Sequence, residues 1–183
     1  MHDGHDDDTP SRWVTRFATM VNAGGTVLDL ACGGGRHARF FAARGHPVLA
    51  VDRAPDVAAE PRLQVLTADL EAEALPAELS GQRFDCIVVT GYLHRPLLPW
   101  IVHAVAPGGW LLYETFAVGN ERYGHPRNLK FLLRPGELFG AVRGTLAIVA
   151  YEHGLVETPG GKAVIQRIAA TRTHDVPLLS SGS

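Results

Sequence analysis

The chain has 183 residues, a formal net charge of -2 and 46% hydrophobic residues. That length suits one domain with a real core, and so small an acidic excess argues against a nucleic-acid surface as the main feature. No apolar run approaches the twenty residues of a membrane span, and the opening HDGHDDD is not a signal-peptide pattern.

In chain order, residues 1–10 read as a disordered tail. His2, His5, Asp3, Asp6, Asp7 and Asp8 are there better explained by solvation than by a metal. Arg12–Val21 is an amphipathic helix. Thr26–Ala31 (TVLDLA) is a buried strand, Arg36–Arg44 a helix closed by Gly45, and Pro47–Val51 a second strand. Leu63–Thr67 is a third strand and Glu71–Leu79 a short helix. Phe84–Val89 is a fourth strand, Pro96–Val105 a helix with proline in its first turn, and Trp110–Phe116 a fifth strand. Leu146–Glu152 and Ala163–Thr171 close the pattern. The segment between them is too short for a helical crossover, so this last pair is antiparallel.

Strand and helix in alternation mean an α/β fold: a Rossmann-like doubly wound sheet, mostly parallel with an antiparallel last strand, helices on both faces. We take 11–175 as a single domain and 176–183 as a flexible tail. Residues Ala117–Leu133 form a long irregular loop, a length that usually signals function or disorder. Cys32 and Cys86 lie in apolar runs without zinc-like spacing, as buried thiols of a reducing compartment would. The expected location is cytoplasmic, with no metal, no membrane and no nucleic acid as partner.

The chemistry-bearing stretch is VLDLACGGGRHARFFAARGHPVLAVD, Val27–Asp52. Three glycines stand between an apolar strand and a helix N-terminus. In open α/β sheets ligands bind at the carboxyl ends of strands, where glycine lets them approach the backbone. Asp52 ends strand two, where a carboxylate can accept the two hydroxyls of a ribose. The string GGGRHA fits the dinucleotide fingerprint G-x-G-x-x-A. However, Asp29 lies inside strand one, and a carboxylate there would repel a pyrophosphate while tolerating an amine or a sulfonium. Asp69 adds an acidic group at the same edge, suited to an adenine amino group.

DLACGGG, with Asp52 after strand two, Asp69 after strand three, FDCIVV as strand four and VAPGGWLLYE leading into strand five, resembles the class I S-adenosylmethionine-dependent methyltransferases over roughly Val27–Glu114. The resemblance implies that cofactor, with S-adenosylhomocysteine as product, and a seventh strand inserted antiparallel beside the fifth. It also implies site residues. The loop from Ala31 through Gly33 to Gly35 passes along the methionine part, which Asp29 orients. Asp52 holds the ribose, with Arg53 beside it. Asp69 and Leu70 hold the adenine edge, and Thr90 and Gly91 border the reactive methyl. Ala31 stands where the family usually has a glycine, and binding is expected to survive this.

The acceptor side is drawn from TGYLHRPLLP, where Tyr92, His94 and Arg95 are the catalytic candidates. His94 would orient or deprotonate an acceptor and Arg95 would bind an anion. Glu114 should face the cleft, and Tyr113 should pack on the other face. Arg122, Arg127, Lys130 and Arg134 of the long loop suggest an anionic acceptor. FLLRPGEL (Phe131–Leu138) and YLHRP are similar to the tellurite-resistance-type small-molecule methyltransferases. The expected activity is in-line methyl transfer to a small acceptor, anions included. The competing readings are a cofactor-binding but inactive partner subunit and, on G-x-G-x-x-A alone, a nicotinamide oxidoreductase. The oligomeric state is open.

Overall fold

The computed structural model describes residues 9–158 and 160–173. The expected tails at 1–10 and 176–183 thus lie almost wholly outside the described residues. Seven strands form one sheet: β1 (Val27–Leu30), β2 (Val48–Asp52), β3 (Leu63–Thr67), β4 (Phe84–Thr90), β5 (Val105–Phe116), β6 (Ala147–Thr158) and β7 (Gly161–Thr171). Their spatial order is β3-β2-β1-β4-β5-β7-β6. The first five run parallel, and β7 lies antiparallel between β5 and β6. Four helices accompany them: α1 (Arg12–Ala18), α2 (Arg36–Ala42), α3 (Leu98–Ala104) and α4 (Glu137–Val142).

Strand periodicity splits the core in two. Val27, Cys86, Val88, Trp110 and Leu112 face α1 and α2, where Trp13, Phe17 and Phe41 cover them. Leu28, Leu30, Ile87, Val89, Leu111 and Tyr113 face α3 and α4, with Ile101, Leu138 and Val142. The doubly wound expectation therefore holds, and both cysteines are free and buried. No helix among the described residues is long and apolar enough to cross a membrane.

Three elements differ from their expected form. Glu71–Leu79 is a chain of turns, not a helix. Pro76 lacks the N–H that would continue a helix, and Asp69 Oδ1 takes the Glu71 N–H at 2.9 Å, fixing a local turn in its place. Leu70, Leu75 and Leu79 of this segment still pack on the core, doing a helix's covering work. The final hairpin is longer than expected, because His153–Thr158 pairs with Gly161–Gln166 in unbroken register. The segment 117–133 is ordered rather than loose, with two 3₁₀ turns at Asn120–Arg122 and Leu129–Phe131.

Asn120 is what orders it. The side chain is 1% exposed. Its Nδ2 donates to the carbonyls of His125 (3.2 Å) and Pro126 (3.4 Å), and its Oδ1 accepts the Val164 N–H at 3.1 Å. The loop is thereby clipped to β7. Asn120→Ala should cost roughly 2–3 kcal/mol by orphaning the Val164 amide. Chemical denaturation measures this, and accelerated proteolysis within 121–131 should accompany it.

Candidate active site

The glycine turn is held by two carboxylates. Gly33 N–H donates to Asp52 Oδ2 at 2.9 Å, joining the turn to the end of β2. Ala54 N–H donates to Asp52 Oδ1 at the same distance. Each Asp52 oxygen keeps a second lone pair for a ligand. Asp29, 1% exposed within β1, accepts the Ala38 N–H in the first turn of α2 at 2.9 Å. It thus caps the helix from a neighbouring strand. Burial pushes its pKa up to about 7, against the lowering effect of that amide and of Arg36.

Gly35 cannot be replaced cheaply. Its φ is +71°, and a Cβ would lie 2.7 Å from the Val57 side chain. At Gly33 (φ +51°) a Cβ would meet nothing within 4 Å, so the backbone there is bare. Ala31 has φ +55° and is the one non-glycine residue with positive φ among the described residues. The alanine therefore takes up the backbone conformation glycine would have given, at a strain of about 1–2 kcal/mol.

Asp69 and Arg53 are exposed at the ends of β3 and β2, and Leu70 is buried beneath them. Thr90 and Gly91 close β4, and Thr90 is in register with Glu114 of β5. These residues, with Gly33 and Asp52, share the carboxyl edge of the parallel sheet.

The three catalytic candidates do not stand together. Tyr92 has a buried hydroxyl without a hydrogen-bond partner. Burial, then the carboxylates of Glu71, Asp69 and Asp52, push its pKa up. Those carboxylates stand at the end of β2 and just after β3. His94 Nδ1 lies 3.9 Å from Glu71 Oε2, leaning the same way. Arg95 is committed elsewhere. Its Nε and Nη2 pair with Glu137 at 2.7 and 3.0 Å, and Nη1 and Nη2 also donate to the carbonyls of Lys130 and Leu132 at 2.6 and 2.8 Å. The guanidinium thus clamps the start of α4 to the end of the long loop. Arg122, Arg127, Lys130 and Arg134 are all exposed.

Groups near Thr90 and Glu114 that sequence reasoning missed are Ser11, His37 and Arg167. Ser11 caps α1 by accepting the Trp13 N–H, and its hydroxyl donates to Glu114 Oε1 at 2.7 Å. Arg167 Nη1 donates to Glu114 Oε2 at 3.1 Å and also pairs with Glu152. Thr90, Glu114, Arg167 and Glu152 form one lateral row across four strands. Glu114 was expected at the cleft, and Tyr113 packs on the opposite face with its hydroxyl on the Tyr92 carbonyl. The Glu114–Arg167 pairing could not be read without strand register.

The model of the methyltransferase domain matches residues 2–135. The chain belongs to this methyltransferase family. A ubiquinone biosynthesis O-methyltransferase of Azotobacter vinelandii is 37% identical over 115 residues, covering 56% of this chain but only 48% of that protein. That of Paraburkholderia xenovorans is 32% identical over 178 residues, 82% of this chain and 75% of that protein. Among solved structures, TehB from Haemophilus influenzae superposes with a TM-score of 0.66 at 19% identity, over 94% of this chain and 63% of that one. A Burkholderia thailandensis 1,6-didemethyltoxoflavin-N1-methyltransferase, solved with S-adenosylhomocysteine, gives 0.61 at 21% identity over 88% and 76%. These likenesses establish the fold, TehB-type neighbours included. Membership in the methyltransferase family overturns the nicotinamide reading of GGGRHA.

S-adenosylmethionine is the cofactor of this family, and the residues present fit it. The Asp52 carboxylate has lone pairs to spare, the turn at Gly33 is bare, and the Tyr92 hydroxyl is a buried donor in want of a partner.

Two measurements check this geometry. Arg95→Met should lower stability by roughly 2–3 kcal/mol and leave S-adenosylhomocysteine affinity within about twofold. A selective loss of acceptor binding at unchanged stability would restore the anion role. For Asp29, the folded pKa of about 7 lies above its ordinary value of 3.8. The folded state therefore holds a proton that the unfolded chain releases, and stability falls as pH rises between those values. Asp29→Asn keeps an acceptor for Ala38 but cannot ionise. Its melting temperature should gain on the wild type progressively from pH 4 to pH 7, and a pH-independent difference would contradict the assignment.

Proposed function

We propose that this methyltransferase moves a methyl group from S-adenosylmethionine to the oxygen of a small, acidic hydroxyl compound, a phenol or an anion, by in-line displacement. The observation that carries the reading is the row at the sheet edge. Asp52 and the glycine turn lie on one side of Thr90, and Glu114 and Ser11 on the other, so cofactor residues and acceptor residues meet at one place.

The cofactor supplies the methyl on a sulfonium, already a good leaving group, so the protein's task is alignment and exclusion of water. Asp52 would accept the ribose hydroxyls, with Arg53 alongside, and Asp69 with Leu70 would meet the adenine edge. Asp29 would face the methionine end across Ala31, Gly33 and Gly35. Thr90 and Gly91 would border the methyl. His94, 3.9 Å from Glu71, would stand on the adenosine side, where Tyr92 would offer its unpartnered hydroxyl.

The acceptor class is supported by what the described residues near Thr90 offer. A general base works best with a pKa near the operating pH. Burial pushes the His37 pKa down to about 3. Glu114 is tied to Ser11 and Arg167. Neither is equipped to take a proton from a weakly acidic alcohol or amine, which favours an acceptor that ionises readily by itself. The relatives named as ubiquinone biosynthesis O-methyltransferases support oxygen as the target. Exposed loop cations are the remaining support for an anion.

Methyl transfer from labelled S-adenosylmethionine to a series of substituted catechols tests the proposal. Turnover should rise as the phenol becomes more acidic. Asp52→Ala should weaken S-adenosylhomocysteine roughly 10- to 100-fold through lost charge-assisted hydrogen bonds. Transfer to amines or thiols in preference to every phenol would refute the oxygen assignment.

A further inference from the structure

The second residue of α2, His37, is 1% exposed and fills one of the variable positions of the GGGRHA string. Its Nε2 lies 3.1 Å from the backbone N–H of Ser11. A backbone N–H can only donate, so Nε2 must present its lone pair. A neutral imidazole has one ring proton, which is thereby placed on Nδ1. The group facing Nδ1 is Thr90 Oγ1, at 3.5 Å, the long end of hydrogen-bonding range. Thr90 then accepts from the ring, and its own O–H is left to be donated. Thr90 is the last residue of β4, half-buried at the carboxyl edge, beside Glu114 and across from the glycine turn.

We infer that Ser11 and His37 form a proton-ordering relay that sets the Thr90 hydroxyl as a fixed donor into the cleft, where it binds the ionised oxygen of the methyl acceptor. The inference rests on the proposed oxygen acceptor and adds the residue that selects it. His37 is a positioning residue, and Thr90 is the group that touches the acceptor. A donor aimed at the reacting centre favours an oxyanion and leaves an ammonium or amine N–H facing another donor. The relay carries no charge. The neutral ring is kept so by burial and by Arg36 beside it, and the Ser11 hydroxyl is turned the other way, onto Glu114.

Nitrogen-15 spectra of histidine-labelled protein with S-adenosylhomocysteine bound test the relay, and Thr90 variants test its use. The expected spectrum shows His37 protonated on Nδ1, bare at Nε2 and unchanged from pH 5 to pH 9. Thr90→Val should keep that tautomer and keep S-adenosylhomocysteine affinity within about twofold. Its kcat/KM for a catechol that the wild type methylates should fall roughly 10- to 100-fold, and Thr90→Ser should recover most of the loss. A proton on Nε2, a ring that titrates between pH 5 and pH 8, or a Thr90→Val enzyme as active as wild type overturns the inference. Should the wild type methylate no phenol, the oxygen-acceptor reading fails together with the inferred partner of Thr90. The histidine spectrum still shows, separately, whether the ordering exists.

Discussion

The site depends on a glycine turn held at both ends by carboxylates. Asp52 takes the Gly33 amide and Asp29 takes the Ala38 amide, so the crossing from β1 to α2 is pinned to β2 on one side and to the strand it leaves on the other. Backbone amides that would otherwise be orphaned at a helix start are satisfied this way. The same two carboxylates are the groups a cationic, ribose-bearing cofactor would meet. One arrangement thus serves folding and binding. Ala31, strained in the left-handed region, indicates that the turn's geometry is imposed by these anchors rather than by the local preference of each residue.

The acceptor side is built differently. Where the proposed cofactor side uses backbone and loop, the proposed acceptor side uses a register row: Thr90, Glu114, Arg167 and Glu152 sit on neighbouring strands and point to one face. The antiparallel insertion of β7 is what brings Arg167 beside Glu114. Helix α1 is then fastened over this row by Ser11, by Trp13 Nε1 on the Ile168 carbonyl and by Arg16 near Glu152. The N-terminal helix is therefore part of the site's wall, and its cap residue Ser11 links His37 to Glu114.

Much of this was legible in the sequence. Alternating apolar runs and glycine-marked turns marked out the parallel strands, and DLACGGG pointed to the methyltransferase family, because those residues are close in sequence to the strands that place them. The Glu71–Leu79 helix failed because Pro76 and the Asp69 turn outweighed a favourable composition. The Arg95 clamp was not legible because its partner, Glu137, is 42 residues away. Ser11, His37 and Arg167 were missed for a related reason. Each is ordinary in its own segment and takes on meaning only when sheet order joins α1, α2, β5 and β7.

The most direct test of the central claim is a calorimetric titration of the wild-type chain with S-adenosylmethionine, S-adenosylhomocysteine and, separately, NADH. Binding of both sulfur compounds in the micromolar range, with no heat from NADH, is the predicted result. It would mean that the bare turn and its two carboxylates receive a sulfonium cofactor. Binding of NADH in preference, or of none of the three, would contradict the account.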